Sequence, residues 1–326
     1  MDINHYLNII INTSINNINN DENEMIDDRA IETLWSLNNY NYNKLISKSI
    51  GNLTNNGVLY NFLDKYSKLK KMLVKDIKFK HYSDNLELYG YTILDIKLNS
   101  TICDSIIKEL ENKDFRTEVA QNNTLYWIKN QDDVLMNDTN SFISDIAFDP
   151  FFLEIAKNYL GTNPIFIQSN YWITEYKNSH NQQVDKSPTH CFHQDYDDIN
   201  FLKIFIYLTD VTEKSGPHRY IKSSLKNIKT PVDYKPSDRL TNKFINENYK
   251  NDIVYITGSK GTIIVENTHG FHSGTELQEG KRNILQLEYG ISKLAFTNHR
   301  YSKSNLVKNN FMKEYPICFS KFKDIV

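Results

Sequence analysis

Apolar residues recur at helical spacing in three segments of the chain. Residues 29–46, RAIETLWSLNNYNYNKLI, place isoleucine and leucine three and four positions apart, which is typical of an amphipathic helix. Residues 99–113, NSTICDSIIKELENK, repeat this spacing, and Ser100 is the expected N-cap. Residues 149–161, DPFFLEIAKNYLG, combine an acidic cap, a proline in the first turn and a terminal glycine. The pattern therefore predicts three helices.

From residue 164 onwards the apolar positions occur in short runs that are typical of strands. Five runs carry this pattern: PIFIQSNYWITEY, LKIFIYLTDV, DIVYIT, GTIIVEN and RNILQLEYG. An earlier run at 86–94, LELYGYTIL, is predicted to be a strand with a turn glycine. Helices that precede many short strands predict a mainly β protein, with an antiparallel core and helices packed against one side.

The segment 258–262, GSKGT, lies between two of these predicted strands. It shares glycine and lysine with phosphate-binding loops, but it lacks their spacing and the helix that follows them. We therefore expect a hairpin turn at this point of the chain rather than a nucleotide site.

The composition of the chain changes near residue 85. Residues 1–85 are rich in asparagine, lysine and isoleucine and include the low-complexity stretch NTSINNINNDENE, whereas residues 86–326 carry the strand pattern. No linker rich in proline and glycine separates the two parts. The sequence therefore predicts a helical N-terminal extension, residues 1–85, packed on a main domain formed by residues 86–326.

Composition and charge exclude several classes of function. The chain of 326 residues is 40% hydrophobic and 13% aromatic, which is the composition of a folded protein. Its formal net charge of −2 provides no basic field that would attract nucleic acid. Three cysteines without a CxxC pair predict neither a disulfide framework nor a zinc ribbon. With no signal peptide and no long apolar run, the expected protein is cytoplasmic and lacks a membrane span.

Histidines and carboxylates are concentrated in residues 189–198, THCFHQDYDD. His193 and Asp195 are two positions apart, so in an extended strand their side chains project to the same face. Two histidines and one carboxylate on one face of an ion form a metal site that leaves the other coordination positions open. A charged surface loop is the alternative interpretation. The metal hypothesis requires a second histidine from a distant strand.

Two histidines, His269 and His272, follow the predicted strand GTIIVEN and compete for this role. Arg282 lies ten residues after His272 (282 − 272). A hairpin through LQEGK would place His272 at the mouth of a strand next to the strand of Arg282, and would leave His269 in the preceding loop. We expect His272 to be the ligand because a strand holds a metal ligand more rigidly than a loop. A bulge at Gly270 would favour His269 instead.

Two longer segments, HQDYDDINFLKIFIYLTDVTEKSGPH and GTIIVENTHGFHSGTELQEGKRNILQLEY, resemble the phytanoyl-CoA dioxygenase family of Fe(II)/2-oxoglutarate-dependent oxygenases. They share with it, in order, an H-x-D, an L-T-D-V strand with a G-P turn, a distal histidine and a later arginine. The resemblance implies a double-stranded β-helix, or jelly roll, with bound Fe(II), 2-oxoglutarate as cosubstrate, and O2. It also implies hydroxylation of an unactivated C–H bond of a small-molecule substrate, with release of succinate and CO2.

The resemblance also implies a role for each candidate residue. The iron ligands and catalytic centre would be His193, Asp195 and His272. Arg282 would bind the far carboxylate of 2-oxoglutarate through its planar fork. Four further polar side chains would help to hold the cosubstrate: Gln168 and Asn170 on one strand face, Lys203 in the strand FLKIFIYL, and Ser273. For Gln168, Asn170 and Lys203 the alternative is a polar residue at a strand edge.

Two other functions are compatible with part of this pattern. A jelly-roll module that binds a ligand without turnover would keep the fold, and a metal hydrolase would use the same types of ligand. An inactive module is expected to have lost one of the site elements, whereas none is missing, and a hydrolase needs no dedicated arginine. The residues favour the oxygenase. They leave the substrate and the oligomeric state unspecified, although four aromatics are candidates for a pocket lining or a core: Tyr126, Trp127, Trp172 and Tyr196.

Overall fold

The computed structural model describes residues 77–120, 122–130, 132–135, 142–177, 188–195, 197–198, 200–234 and 238–290. The helix predicted at 29–46 and most of the predicted N-terminal extension lie outside these residues, so the extension stays a prediction. Tyr196 also lies outside them. None of the helices in the described part of the chain is long and apolar enough to cross a membrane.

The described residues form ten strands and six helices, together with a short 3-10 turn at Pro188–His190. The strands are β1 (Tyr91–Lys97), β2 (Phe115–Ala120), β3 (Asn123–Ile128), β4 (Ile165–Tyr176), β5 (Phe201–Tyr207), β6 (His218–Ile221), β7 (Ile253–Ile256), β8 (Thr262–Glu266), β9 (His272–Ser273) and β10 (Lys281–Gly290). The helices are α1 (Ile77–Tyr89), α2 (Ser100–Leu110), α3 (Asp132–Leu135), α4 (Phe142–Ala147), α5 (Pro150–Leu160) and α6 (Asn242–Asn248).

Two antiparallel sheets form the body of the molecule. The large sheet has seven strands in the order β1-β8-β5-β10-β4-β3-β2, and the small sheet has three strands in the order β7-β6-β9. From β5 onwards the chain passes back and forth between the sheets: β5, β8 and β10 lie in the large sheet, whereas β6, β7 and β9 lie in the small one. The fold is therefore a jelly roll, and the prediction of a mainly β protein with flanking helices is confirmed.

Alternating residues along the central strands of the large sheet separate two apolar clusters. On β5, Leu202, Ile204 and Ile206 point to the helical side and belong to the main core, which includes residues of α1, α2, α4 and α5. The residues between them, such as Phe205 and Tyr207, point towards the small sheet and join a second cluster there. The site described below lies on this second side, between the two sheets.

Helix α5 begins and ends where its sequence predicts. The Asp149 side chain accepts a hydrogen bond from the backbone N–H of Phe151, Pro150 is the first helical residue, and Gly161 ends the helix with a φ of 74°. In α2 the N-cap is Asn99 rather than the expected Ser100, because the Asn99 side chain accepts from the Thr101 N–H at 2.8 Å. The cap therefore lies one residue earlier than predicted.

The strand predicted over 86–94 is wrong in its first half. Residues up to Tyr89 belong to α1, and the strand β1 begins only after Gly90, whose φ of 88° allows the chain to reverse. Leu86 is fully buried in the main core, which stabilises this last turn of α1 against its strand-like composition. Because α1 spans the expected boundary at residue 85, the packed core extends into the region assigned to the extension.

Two predicted hairpins are instead connections between sheets. The turn GSKGT joins β7 in the small sheet to β8 in the large sheet, and LQEGK lies between β9 and β10, which also belong to different sheets. At these two turns the chain crosses from one sheet to the other, so the strands on either side of each turn face one another across the interior and do not pair side by side. His272 and Arg282 therefore lie on opposite walls rather than on adjacent strands.

Candidate metal centre

Three side chains converge between the two sheets in the arrangement that a metal ion requires. One ligand atom from each of His193, Asp195 and His272 lies within 4.8 Å of the other two. His193 Nε2 is 3.7 Å from Asp195 Oδ1, and His272 Nε2 is 3.2 Å from Asp195 Oδ2. This is the only such group of three or more histidine, cysteine or acidic residues among the described residues.

The backbone fixes the position of both histidines. His193 and His272 face one another in an antiparallel bridge, with two reciprocal N–H···O bonds of 3.0 Å. The backbone N–H of Asp195 donates to Thr268 O at 2.9 Å, which fixes the carboxylate end of the segment. These bonds tie the H-x-D segment to the segment before β9, although the two are far apart in sequence.

Each histidine is also oriented through its second ring nitrogen. Nδ1 of His193 lies 2.9 Å from Cys191 O, and Nδ1 of His272 lies 3.1 Å from Gly270 O. Because a carbonyl can only accept, Nδ1 carries the proton in both rings and Nε2 offers its lone pair to the site. Such support of the outer nitrogen is typical of metal-ligating histidines.

Burial and the neighbouring charges set the protonation of the three ligands. Burial, together with the neighbouring His272, lowers the pKa of His193 to about 3, so this imidazole is neutral near neutral pH. Burial alone would raise the pKa of Asp195, but the Lys203 ammonium and the two histidines together hold this pKa well below the usual range. Burial also acts to lower the pKa of His272, but the Asp195 carboxylate, with Glu266, raises this pKa above its ordinary value. A divalent cation bound to His272 would replace the proton that these carboxylates stabilise on its ring.

His269, the competing distal histidine, lies elsewhere, and so does His190, which precedes His193 by three residues. The His269 ring packs edge-on against Phe201 with centroids 4.5 Å apart, and its Nε2 is 3.1 Å from Asp198 O. His190 is buried, and its carbonyl accepts a bond from Arg219 at 2.8 Å. Neither ring belongs to the group of convergent ligand atoms.

Arg282 lies on β10, and its guanidinium faces the same cavity as the histidines. Nη1 donates to Gly216 O and Nη2 donates to Thr174 Oγ1 at 3.3 Å, while Nε has no hydrogen-bond partner among the described residues. Burial lowers the pKa of Arg282 to about 10, and no carboxylate in the described part of the chain opposes this effect. A buried cation without an acidic partner is expected to bind an anion.

Three of the four polar residues predicted to hold the cosubstrate lie away from the cavity lining. Gln168 donates to Glu288 Oε2 at 2.6 Å, and Asn170 donates to Gln168 Oε1 at 3.3 Å. Ser273 Oγ accepts a bond of 3.0 Å from Arg219 Nε. Lys203 alone reaches the cavity, where its Nζ lies 2.8 Å from Asp195 Oδ2.

His218 also lines the cavity, although it was not among the predicted site residues. It is the first residue of β6, stacks on His272 with centroids 5.8 Å apart, and its Nε2 lies 2.9 Å from Glu266 Oε2. The signal available was the histidine directly after the Gly-Pro turn of KSGPH. His218 reaches the cavity and Glu266 because β6 lies opposite β8. This arrangement is visible only in the fold.

The cavity between the sheets has a volume of about 190 Å³ and two kinds of wall. The polar part of the lining comes from both sheets and carries the metal ligands, Lys203, His218 and Arg282. The apolar wall is formed by large side chains from the big sheet: Leu125, Trp127, Trp172, Phe205 and Ile284. Trp127 and Trp172 thus contribute to the pocket lining. Strand β3, which the sequence did not predict, brings Leu125 and Trp127 to this wall.

Solved structures with a similar fold include the proteins SnoN and HygX. The epimerase SnoN in complex with Fe3+, alpha ketoglutarate and nogalamycin RO aligns with a TM-score of 0.52 and 13% identity, covering 65% of this chain and 83% of SnoN. HygX from Streptomyces hygroscopicus, with nickel, 2-oxoglutarate and hygromycin B bound, aligns with a TM-score of 0.45 and 14% identity, covering 71% of this chain and 93% of HygX. At these identities the likeness concerns the fold.

Curated protein sequences provide no match to this chain. The model of the phytanoyl-CoA dioxygenase family, in contrast, matches residues 86–281. This range is more than half of the chain and contains all three convergent ligands. The protein therefore belongs to the phytanoyl-CoA dioxygenase family, the group of Fe(II)/2-oxoglutarate-dependent oxygenases that its sequence resembles.

Proposed function

We propose that this protein is an Fe(II)- and 2-oxoglutarate-dependent oxygenase that hydroxylates a C–H bond of a small-molecule substrate. One observation carries the proposal: a single cavity is lined both by three convergent ligand atoms and by a buried guanidinium without a carboxylate partner among the described residues. The first feature suits a divalent metal and the second suits a carboxylate. A dicarboxylate that also binds the metal would satisfy both.

The donor set fits iron. His193 and His272 would bind it through Nε2 and Asp195 through a carboxylate oxygen, which is the two-histidine, one-carboxylate set of non-haem iron oxygenases. When bound together, iron, 2-oxoglutarate and O2 supply the oxidant that removes hydrogen from the substrate, with release of succinate and CO2. The backbone bridge between the two histidines already fixes the positions of their rings. Metal binding would therefore require no change in fold.

Arg282 would bind the far carboxylate of 2-oxoglutarate. Its Nη atoms are oriented by Gly216 O and Thr174 Oγ1, so the guanidinium plane is fixed before the ligand arrives. Gly274 lies beside it, and a Cβ at that position would be 3.6 Å from Nη2 and would occupy the adjoining space. The arginine therefore provides a preformed anion site in a region from which water is largely excluded.

The apolar wall limits what else enters the cavity. Trp127 and Trp172 stack with ring centroids 5.1 Å apart, and Phe205 packs edge-on against Trp172. These rings exclude water from the space next to the ligand atoms, which protects a reactive intermediate from side reactions. They also present a flat apolar surface against which a substrate C–H bond can be positioned.

Anaerobic reconstitution tests the proposal directly. Protein with Fe(II) and 2-oxoglutarate is expected to show a weak visible charge-transfer band, and exposure to air is expected to produce succinate. His193→Ala should lose the band, whereas His269→Ala, which changes a histidine outside the site, should retain it. Absence of both the band and succinate from the wild-type protein would refute the proposal and favour a binding module.

Hydroxylation is the finer part of the proposal and needs its own measurement. SnoN, which is similar in fold, is described as an epimerase, so removal of hydrogen in this fold has more than one outcome. A metabolite screen followed by turnover under 18O2 is expected to place one labelled oxygen atom in the product. A product without label, formed together with succinate, would keep the oxygenase class and reject hydroxylation.

A further inference from the structure

Lys203 is a buried cation that contacts one of the three candidate metal ligands, Asp195. It lies in the middle of β5, between β8 and β10, and only 5% of the residue is exposed. A lysine in such a position needs compensating anions, because removal of an ammonium group from water is unfavourable. Its aliphatic neighbours on β5, Leu202 and Ile204, point to the opposite face of the sheet and belong to the main core.

Three carboxylates surround the Lys203 ammonium. Nζ lies 2.8 Å from Asp195 Oδ2, 2.6 Å from Asp197 Oδ2 and 3.6 Å from Glu288 Oε2. Glu288 is held independently by Gln168, which donates to the same Oε2 at 2.6 Å. The two short contacts are therefore those to the aspartates, and one of these aspartates is a member of the metal site.

The contact to Asp195 divides the two oxygens of its carboxylate. Oδ2 accepts the hydrogen bond from Lys203 and also lies 3.2 Å from His272 Nε2, whereas Oδ1 receives no hydrogen bond from the described residues and lies 3.7 Å from His193 Nε2. A carboxylate whose two oxygens both bind a metal takes up one more coordination position than a carboxylate that uses one oxygen. By occupying a lone pair of Oδ2, Lys203 favours binding of the metal through one oxygen, Oδ1, over binding through both.

The contact to Asp197 concerns a second carboxylate that could otherwise bind the metal. Asp197 follows Asp195 by two residues and is largely buried, with a side-chain exposure of 16%. Without a cation beside it, a carboxylate at this place would be attracted to a nearby metal ion. The 2.6 Å contact to Lys203 gives it an alternative partner.

We infer that Lys203 is a positioning residue that keeps Asp195 as a one-oxygen ligand and keeps Asp197 off the metal. The inference rests on the proposed function, because only an oxygenase needs open coordination positions for both 2-oxoglutarate and O2. Lys203 thus preserves the open face of the site. This differs from the role suggested by its sequence position, in which its ammonium contacts the cosubstrate.

The number of exchangeable water molecules on bound Mn(II) measures how many coordination positions the protein leaves open. The measurement requires no turnover. Water-proton relaxation of the full chain with Mn(II), in the absence of 2-oxoglutarate, is expected to give three waters for the wild type, since three protein atoms occupy the other positions. Lys203→Met is expected to give fewer waters and to bind Mn(II) about tenfold more tightly, because a nearby positive charge is lost. 2-Oxoglutarate should bind the Mn(II) form of this variant more weakly.

Two further substitutions serve as controls. Lys203→Arg retains a cation with hydrogen-bond donors and is expected to restore most of the wild-type water count. Lys260→Met removes an ion-paired lysine at the surface, 2.6 Å from Asp104, and is expected to leave Mn(II) affinity and water count unchanged. A Lys203→Met protein with the wild-type water count and Mn(II) affinity would overturn the inference, even if its 2-oxoglutarate binding fell.

Lys203→Met leaves several buried carboxylates without a cation and is at risk of unfolding. The double variant Lys203→Met/Asp197→Asn removes one of these charges, and it should still lose water from bound Mn(II) because Oδ2 of Asp195 is released. A crystal structure of the wild-type protein with Mn(II) needs no variant: Oδ1 coordination with Lys203 on Oδ2 is expected, and two-oxygen coordination by Asp195 would overturn the inference. Failure of the wild type to bind Mn(II) would instead reject the proposed function.

Discussion

The two faces of the seven-stranded sheet are built from the same strands but from different chemistry. On β10, Leu285, Leu287 and Tyr289 point to the helical side and join a core that is apolar throughout. On the opposite face the same strand carries Arg282 and Glu288, both of which are at most 3% exposed. Because side chains alternate between the two faces of a strand, the residues that stabilise the core lie on one face and the residues of the candidate site lie on the other.

The polar face is costly to the fold, and its groups are arranged to reduce that cost. Burial, together with the nearby Asp197, raises the pKa of Glu288 to about 8, although Lys203 acts in the opposite direction. The folded protein therefore binds a proton at Glu288 that the unfolded chain, with its ordinary glutamate pKa, would release at neutral pH. Stability from this group is present at low pH and decreases as the pH rises towards 8.

The largest expected effect concerns the polar face. His272→Ala removes one of the two histidine ligands, so Fe(II) content and succinate formation should fall to background. His269→Ala, three residues earlier, removes a ring that contacts Phe201 and should retain most of the iron. Metal analysis of the folded proteins, verified by circular dichroism, checks both. Loss of iron in His269→Ala, with iron retained in His272→Ala, would identify His269 as the distal ligand.

The helical face should respond to substitution in the opposite way. Leu287 is fully buried in the main core, and Leu287→Ala is expected to lower the free energy of unfolding by about 2–5 kcal/mol, since the lost contacts leave a cavity. The folded fraction should still bind Fe(II) and 2-oxoglutarate with wild-type affinity. Urea denaturation, with metal binding measured in parallel, tests this separation. A large loss of metal affinity would show that the two faces are coupled.

The sequence was sufficient for the parts of the fold that depend on local rules. The ends of α5 follow from Asp149, Pro150 and Gly161 alone, and the strands β4, β5 and β10 follow from their apolar runs. The H-x-D pair and the later arginine were recognisable because their order along the chain is fixed by the fold of the family. These are signals that a single stretch of sequence contains.

What the sequence could not supply depends on contacts between distant segments. The partner of Lys203 could be water, a cosubstrate or a carboxylate, and only the fold brings Asp195 and Asp197 to its ammonium. His218 acquires significance through Glu266, which lies 48 residues later and is fully buried. Gln168 and Asn170 were correctly placed on one strand, but Glu288 on the neighbouring strand determines what they bind.

A smaller effect is expected for the guanidinium on the polar face. Arg282→Lys keeps the positive charge but loses the planar fork, so the apparent affinity for 2-oxoglutarate should fall at least about tenfold, or ~1.4 kcal/mol. Fe(II) binding without cosubstrate should stay unchanged, because Arg282 is not a ligand. Calorimetric titration with 2-oxoglutarate measures the change. An unchanged affinity would identify Arg282 as a structural residue that stabilises the Gly216 turn.

The smallest effect tests whether the helical layer beyond the sheet is as independent of the site as its packing suggests. Asp149→Ala removes the side chain that accepts a 2.8 Å bond from the Phe151 N–H at the start of α5, and it should destabilise the protein by about 1 kcal/mol. The residues of α5 pack into the main core and contribute nothing to the cavity lining, so Fe(II) and 2-oxoglutarate affinities should not change.

Asp149→Asn keeps an oxygen that can accept the same bond and is the matched control, with an expected loss close to zero. Thermal denaturation of the three proteins, with and without Fe(II) and 2-oxoglutarate, distinguishes the cases. If ligand binding stabilised Asp149→Ala less than it stabilised the wild type, the helix would be coupled to the site through the strands of the large sheet.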